Sequence, residues 1–187
     1  MVVVAAVEGG GTSWKVVLAE LSPDWQDCRL LGKPHQIKTE MPEETLGKIN
    51  RWLLARRGQF DAIGIASFGP VSLNKNSSDY GKIRNTPKKH WKGADVVGII
   101  SRGLEDMPCA FDTDVNAPAL AEYVMTGMKE QGKSSCAYIT VGTGIGVGAF
   151  IGGVLWWWCC CCWCCCWWCA FYRPANRGVA DATTLFL

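Results

Sequence analysis

Apolar residues run from Val2 to Val7, stop at Gly9-Gly10-Gly11 and resume from Trp14 to Leu18. Runs of this length suit buried strands, so the pattern predicts two strands joined by a glycine turn. A third strand is expected near Cys28 to Leu31. From Pro42 the period changes: Leu46, Ile49, Leu53 and Leu54 recur at helical spacing. Glu43 and Glu44 fall in the first turn, Arg56 and Arg57 in the last and Gly58 behind them, which marks a helix with its ends suited to its dipole. Ala62 to Phe68 reads as a short buried strand, and it empties into a polar stretch from Gly69 to Gly93 of the kind that often carries function. Ala94 to Leu104 is expected to be helical, Cys109 to Phe111 a strand, Ala117 to Met125 a helix and Cys136 to Val141 a strand. Strand and helix therefore alternate, and the fold class is α/β.

At 187 residues the chain has room for one domain with a real core, whereas two complete lobes would be tight. Lys and Arg number 19 against 17 Asp and Glu, scattered along the chain, so no basic face is expected and nucleic acid is excluded as a partner. The start, MVVVAAVEGGG, has neither a charged leader nor a small-residue cleavage site, and it reads as a buried strand of a cytoplasmic protein. Of the 11 cysteines only Cys28, Cys109 and Cys136 lie in ordinary sequence; the rest crowd between Cys159 and Cys169, so the count does not signal a disulfide scaffold.

That crowded tract, WWWCCCCWCCCWWC from Trp156 to Cys169, breaks the pattern. Its two residue types share TGG and TGT or TGC codons, so it reads as a translated simple repeat or a frame error at about Val154. A membrane helix is the alternative, because no charge occurs from Ser134 through Tyr172, more than the roughly 20 residues needed to span. The glycine-rich first half of that span argues against it, and no membrane association is expected. A zinc site would need specific spacings, but cysteines this dense produce every spacing by chance and no His lies nearby.

Four motifs offer chemistry. In Glu8 to Ser13, EGGGTS, glycines let backbone N–H groups approach an anion and Thr12 adds a hydroxyl donor; a plain hairpin turn is the alternative. In Thr140 to Gly148, TVGTGIGVG, four glycines burden a strand, which favours close approach of a ligand backbone or phosphate. A dinucleotide fingerprint fails there, since neither a following helix nor a downstream acid is present. Gly127 to Ser134 fits the Walker A expression, but with the helix before and the strand after, the reverse of what that motif needs; it reads as a helix stop and a charged turn. In Asp112 to Glu122, DTDVNAPALAE, Pro118 places a helix start near Asn116 and leaves Asp114 in the junction behind a strand. Asp114 is there either to accept a proton from an alcohol or, with Asn116, to cap the helix.

Taken in order, EGGGT, IGIASFGPV, TPKKHW, DTDVNAPALAE and YITVGTGIGVGAFIGG resemble the ROK family of sugar kinases, nearest its fructokinases, across roughly residues 3 to 153. The resemblance implies an actin-like, ribonuclease-H-like ATPase lobe at 1–112. A second lobe begins at 113–153 and is cut short, and 154–187 is left as a tract and tail outside the native fold. It implies transfer of phosphate from ATP, with Mg2+, to a hexose, most simply D-fructose to fructose 6-phosphate. Gly10, Gly11 and Thr12 would form the first phosphate turn and Gly142, Thr143 and Gly144 the second. Asp114 would be the general base, and Asn85, Thr86 and Asn116 would line the sugar pocket. The family is commonly dimeric.

Two departures stand out. Relatives carry Lys directly after the GGT, whereas this chain has Ser13 there and Lys15 two positions on. They also follow the second glycine turn with a sugar-binding His and Glu and a Cys/His zinc site, none of which follows Val154, so no metal ligand is expected. The competing expectations are a fructokinase in incomplete form, a catalytically inactive nucleotide-binding fragment, or a related kinase acting on glucose or N-acetylmannosamine.

Overall fold

The computed structural model describes residues 1–25, 27–141, 145–160 and 171–174. Gly142, Thr143 and Gly144 lie outside the described residues, as does most of the Trp/Cys tract.

Strands β1 (Val2–Gly9) and β2 (Ser13–Leu21) form the expected antiparallel hairpin, paired from Val2 with Leu21 to Gly9 with Trp14. They sit in a six-stranded sheet with β3 (Cys28–Leu30), β4 (His35–Lys38), β5 (Ala62–Ser67) and β6 (Cys109–Thr113). Its order is β3-β2-β1-β5-β6, with β4 also on β2; β1, β5 and β6 run parallel. Parallel neighbours need crossovers, and α1 (Pro42–Leu54) and α2 (Val96–Ile100) lie in the connections between them.

One face of this sheet holds the core. Ala5 and Val7 of β1 join Trp14, Val16, Leu46, Ile49, Leu53 and Ile63 in one buried cluster. Alternation along β1 sends Val4, Ala6 and Glu8 to the other face, which borders a cavity. Trp14, Phe68 and Trp91 close the core near the glycine turn: Trp14 stacks on Trp91 with centroids 5.7 Å apart, and Phe68 meets both edge-on.

The second sheet is antiparallel, ordered β10-β9-β8-β7, from β7 (Ser135–Val141), β8 (Ile145–Ile151), β9 (Val154–Cys160) and β10 (Phe171–Pro174). Helix α3 (Asn116–Met125) lies across β7 and β8, where Leu120, Phe150 and Leu155 make a small separate core and Tyr123 meets Phe150 at 4.3 Å. The expected end of the fold at 153 falls in the hairpin between β8 and β9, and β9 carries the sheet into the first tryptophans of the tract. Residues Gly127 to Ser134 connect α3 to β7 as turns, not as a phosphate loop entering a helix.

The helix expected over 94–104 is confined to α2. Asp95 caps it by accepting from the Gly98 N–H at 2.9 Å, and a separate turn follows in which Gly103 takes φ +75°. No helix of the described residues is long and apolar enough to cross a membrane.

Candidate active site

The site forms where β1, β5 and β6 end together. The register sets Gly9 beside Ser67 and Ser67 beside Thr113, so the glycine turn after β1 and the residue after β6 leave the same end of the sheet on either side of β5. Parallel α/β sheets present their ligand sites at this carboxyl end.

The turn is held by its carbonyls. Gly10 O accepts from Thr39 Oγ1 at 2.8 Å, Gly11 O from Lys88 Nζ at 2.7 Å and Thr12 O from the Thr39 N–H at 3.0 Å. The Gly10 N–H donates to Ser13 O at 3.0 Å. Among the described residues no acceptor takes the N–H of Gly11 or Thr12, so the turn is rigid through its acceptors and retains two donors. A methyl on Gly11 would meet open space, whereas one on Gly9 would sit 2.5 Å from the Trp14 ring. Glycine is thus required at Gly9 by packing, and the room at Gly11 is left for something else.

Asp114 follows β6 directly, its N–H donating to Ser67 O at 2.9 Å. Burial pushes its carboxyl up from 3.8 to about 6; its own backbone N–H opposes this, and the negative charge of Glu8 adds to it. A cavity of about 490 Å³ opens here, walled by Glu8, Lys15, Asp112, Asp114, Pro118 and Tyr138 among others. Lys15 pairs with Glu8 at 3.2 Å across the hairpin.

Behind Asp114 lies a buried network. Asn116 Nδ2 donates to Asp112 Oδ1 at 2.9 Å, and the Asn116 N–H donates to Thr113 Oγ1 at 3.0 Å. Asn116 is wholly buried and its Oδ1 has no partner among the described residues. It stands beneath the cavity wall rather than on it. Asn85 is exposed, and Thr86 is half-buried with its Oγ1 accepting from the Lys88 N–H at 3.2 Å. The structure thus brings the first turn and Asp114 to one end of the sheet, while Gly10, Gly11, Thr12, Asn85, Thr86 and Asn116 do not line the cavity itself.

The glycines of β8 require a correction. Close approach of a ligand was the reading for Gly146 and Gly148, but a methyl on Gly148 would collide with the Val115 carbonyl, and one on Gly146 would lie 2.9 Å from Val115 Cγ1. Gly148 approaches the chain's own backbone at Val115 and Asn116, next to Asp114, and Gly146 approaches the Val115 and Thr140 side chains. Sequence reasoning also gave no role to Glu8, Thr39 or Lys88. Lys88 belongs to the TPKKHW segment, whose lysines were the available signal.

Residues 4–157 match the ROK family, and the chain belongs to it. It is 38% identical over 154 residues to a fructokinase of Lactococcus lactis subsp. cremoris, covering 80% of this chain and 48% of that protein. A fructokinase of Zymomonas mobilis subsp. mobilis is 39% identical over 151 residues, covering 79% and 47%. Among solved structures, a ROK family glucokinase from Streptomyces griseus in complex with glucose and AMPPNP superposes with a TM-score of 0.63. Its identity is 24%, over 82% of this chain and 46% of that one. The chain therefore spans about half the length of the relatives it matches, and the α/β fold is that of the ROK sugar kinases, an actin-like ATPase lobe.

Proposed function

We propose that this protein transfers the terminal phosphoryl group of ATP to a hexose hydroxyl, with D-fructose as the substrate and fructose 6-phosphate as the product. One observation carries the proposal: a half-buried carboxyl pushed up to about 6, Asp114, leaves the same end of the sheet as a glycine turn that keeps two N–H donors free. An acid with such a pKa is ionised at neutral pH yet basic enough to take a proton from an alcohol. As the sugar oxygen bonds to phosphorus, its proton passes to Asp114 and the bond from phosphorus to the bridging oxygen breaks, releasing ADP. Phosphoryl transfer asks mainly for positioning and charge stabilisation, which the Gly10, Gly11 and Thr12 turn supplies, with Gly142, Thr143 and Gly144 proposed as its counterpart. Magnesium carried with the nucleotide would supply charge neutralisation at the phosphates; among the described residues no cluster of three or more His, Cys, Asp or Glu stands ready to hold a metal.

Asn85 and Thr86 are proposed to contact the sugar. Asn116, wholly buried with its Nδ2 on Asp112, is proposed to support the sugar site from behind rather than to touch the sugar. Fructose is favoured by the 34–39% identity to proteins described as fructokinases. ATP as donor places the work in the cytoplasm.

The test is a coupled ADP-release assay with fructose, glucose and N-acetylmannosamine in parallel. Turnover highest with fructose supports the reading. Turnover higher with another hexose overturns the substrate assignment. Bound ATP without turnover on any of them overturns the catalytic reading in favour of a nucleotide-binding fragment.

A further inference from the structure

Lys88 reaches the phosphate turn from a loop 77 positions away in sequence, and its ammonium donates to Gly11 O at 2.7 Å. No carboxylate pairs with it among the described residues, in contrast to Lys15, which Glu8 neutralises at 3.2 Å. The same residue is tied by its own N–H to Thr86 Oγ1 at 3.2 Å, and its carbonyl accepts from the Trp91 N–H at 3.2 Å. Trp91 stacks on Trp14, immediately behind the turn. The loop holding Asn85 and Thr86 is therefore fastened to the turn at two points, one an aromatic stack and the other a charged hydrogen bond.

The two fastenings differ in kind. The Trp14–Trp91 stack is buried and serves the core. The Lys88 bond acts on the peptide between Gly11 and Thr12, whose N–H end is one of the two donors with no acceptor. A cation on the carbonyl end fixes the orientation of that peptide and polarises its N–H, which makes it a stronger donor to an anion.

We propose that Lys88 is a positioning residue for phosphate binding. Its ammonium holds the Gly11 carbonyl so that the turn's N–H groups are set for a polyphosphate, and through Thr86 it couples that turn to the sugar loop. This rests on the phosphate-turn reading above. Here the cationic side chain comes from the loop rather than from the position after the turn, where Ser13 stands.

The probe is tripolyphosphate, titrated calorimetrically into the full chain with and without fructose. The proteins compared are the native chain, Lys88→Met, Lys88→Arg and the exposed neighbour Lys89→Met. Lys88→Met is expected to weaken binding about tenfold or more, the range for losing a charged hydrogen bond. Lys88→Arg restores a cationic donor and is expected to stay within about threefold of native; Lys89→Met is expected to match it. Fructose tightens tripolyphosphate binding in the native chain and Lys88→Arg, and this coupling disappears in Lys88→Met. A merely structural role for Lys88 would lower the melting temperature without removing the coupling. Lys88→Gln gives the same comparison if Lys88→Met does not fold. Equal affinity and equal coupling in Lys88→Met and native protein overturn the assignment and leave the kinase reading standing. Absence of tripolyphosphate binding to the native chain overturns both.

Discussion

Asp114→Asn should do two opposite things: slow phosphoryl transfer by orders of magnitude and make the protein more stable. The carboxyl is held near 6 against an ordinary 3.8 because ionising it at the strand edge costs solvation, and Glu8 adds repulsion. At about 1.4 kcal/mol per tenfold, that gap corresponds to about 3 kcal/mol, and the part of the carboxyl that sees solvent lowers the expected effect to about 2 kcal/mol. The sign follows from proton uptake. Between 3.8 and about 6 the folded chain holds a proton that the unfolded chain has lost, so stability falls as pH rises through this window. Asparagine has nothing to ionise, while the backbone N–H bond to Ser67 is untouched. Urea melts followed by tryptophan fluorescence and circular dichroism should show the variant about 2 kcal/mol more stable at pH 8. The advantage should shrink to about 0.5 kcal/mol at pH 4. An advantage independent of pH, or a variant less stable at pH 8, would refute the reasoning.

Further predictions follow the same geometry. The rate constant for turnover should rise about tenfold per pH unit below 6 and level off above it, as the base ionises; a flat profile from pH 5 to 8 would count against Asp114. Gly148→Ala drives a methyl into the Val115 carbonyl and should cost about 2 kcal/mol in a chemical melt, with activity falling as the start of α3 shifts. Trp91→Ala removes a wholly buried ring and its Nε1 bond to Glu40 O at 2.9 Å, and should cost about 3–5 kcal/mol by the same melt. Thr39→Val keeps the shape of the side chain but loses the hydroxyl donor to Gly10 O, and weaker ATP binding by about fivefold is expected in an equilibrium titration.

The strands and helix legible in the sequence are those whose burial is continuous or strictly periodic. β1, β2, β5 and α1 each bury a run or a stripe, so local pattern alone located them. β4 escaped because three of its four residues are exposed polar side chains and only Ile37 is buried; it exists by pairing with β2. α2 is shorter than its apolar pattern suggests because Asp95 caps its start and a turn with Gly103 at φ +75° follows Ser101. The glycines that burden β8 suggest a ligand, since nothing local distinguishes a phosphate from the Val115 carbonyl as the thing approached. Asp114 could be singled out because a helix start behind a strand is a local feature. Lys88 could not be given a role, because a lysine in a polar loop shows its purpose only when folding brings it to Gly11.

The most direct test is single-turnover transfer from radiolabelled ATP to fructose by the native protein and by Asp114→Asn at pH 8. The account predicts labelled sugar phosphate from the native protein and a rate lower by about 10²–10⁴-fold in the variant, with nucleotide affinity unchanged. Equal rates in the two proteins would contradict it.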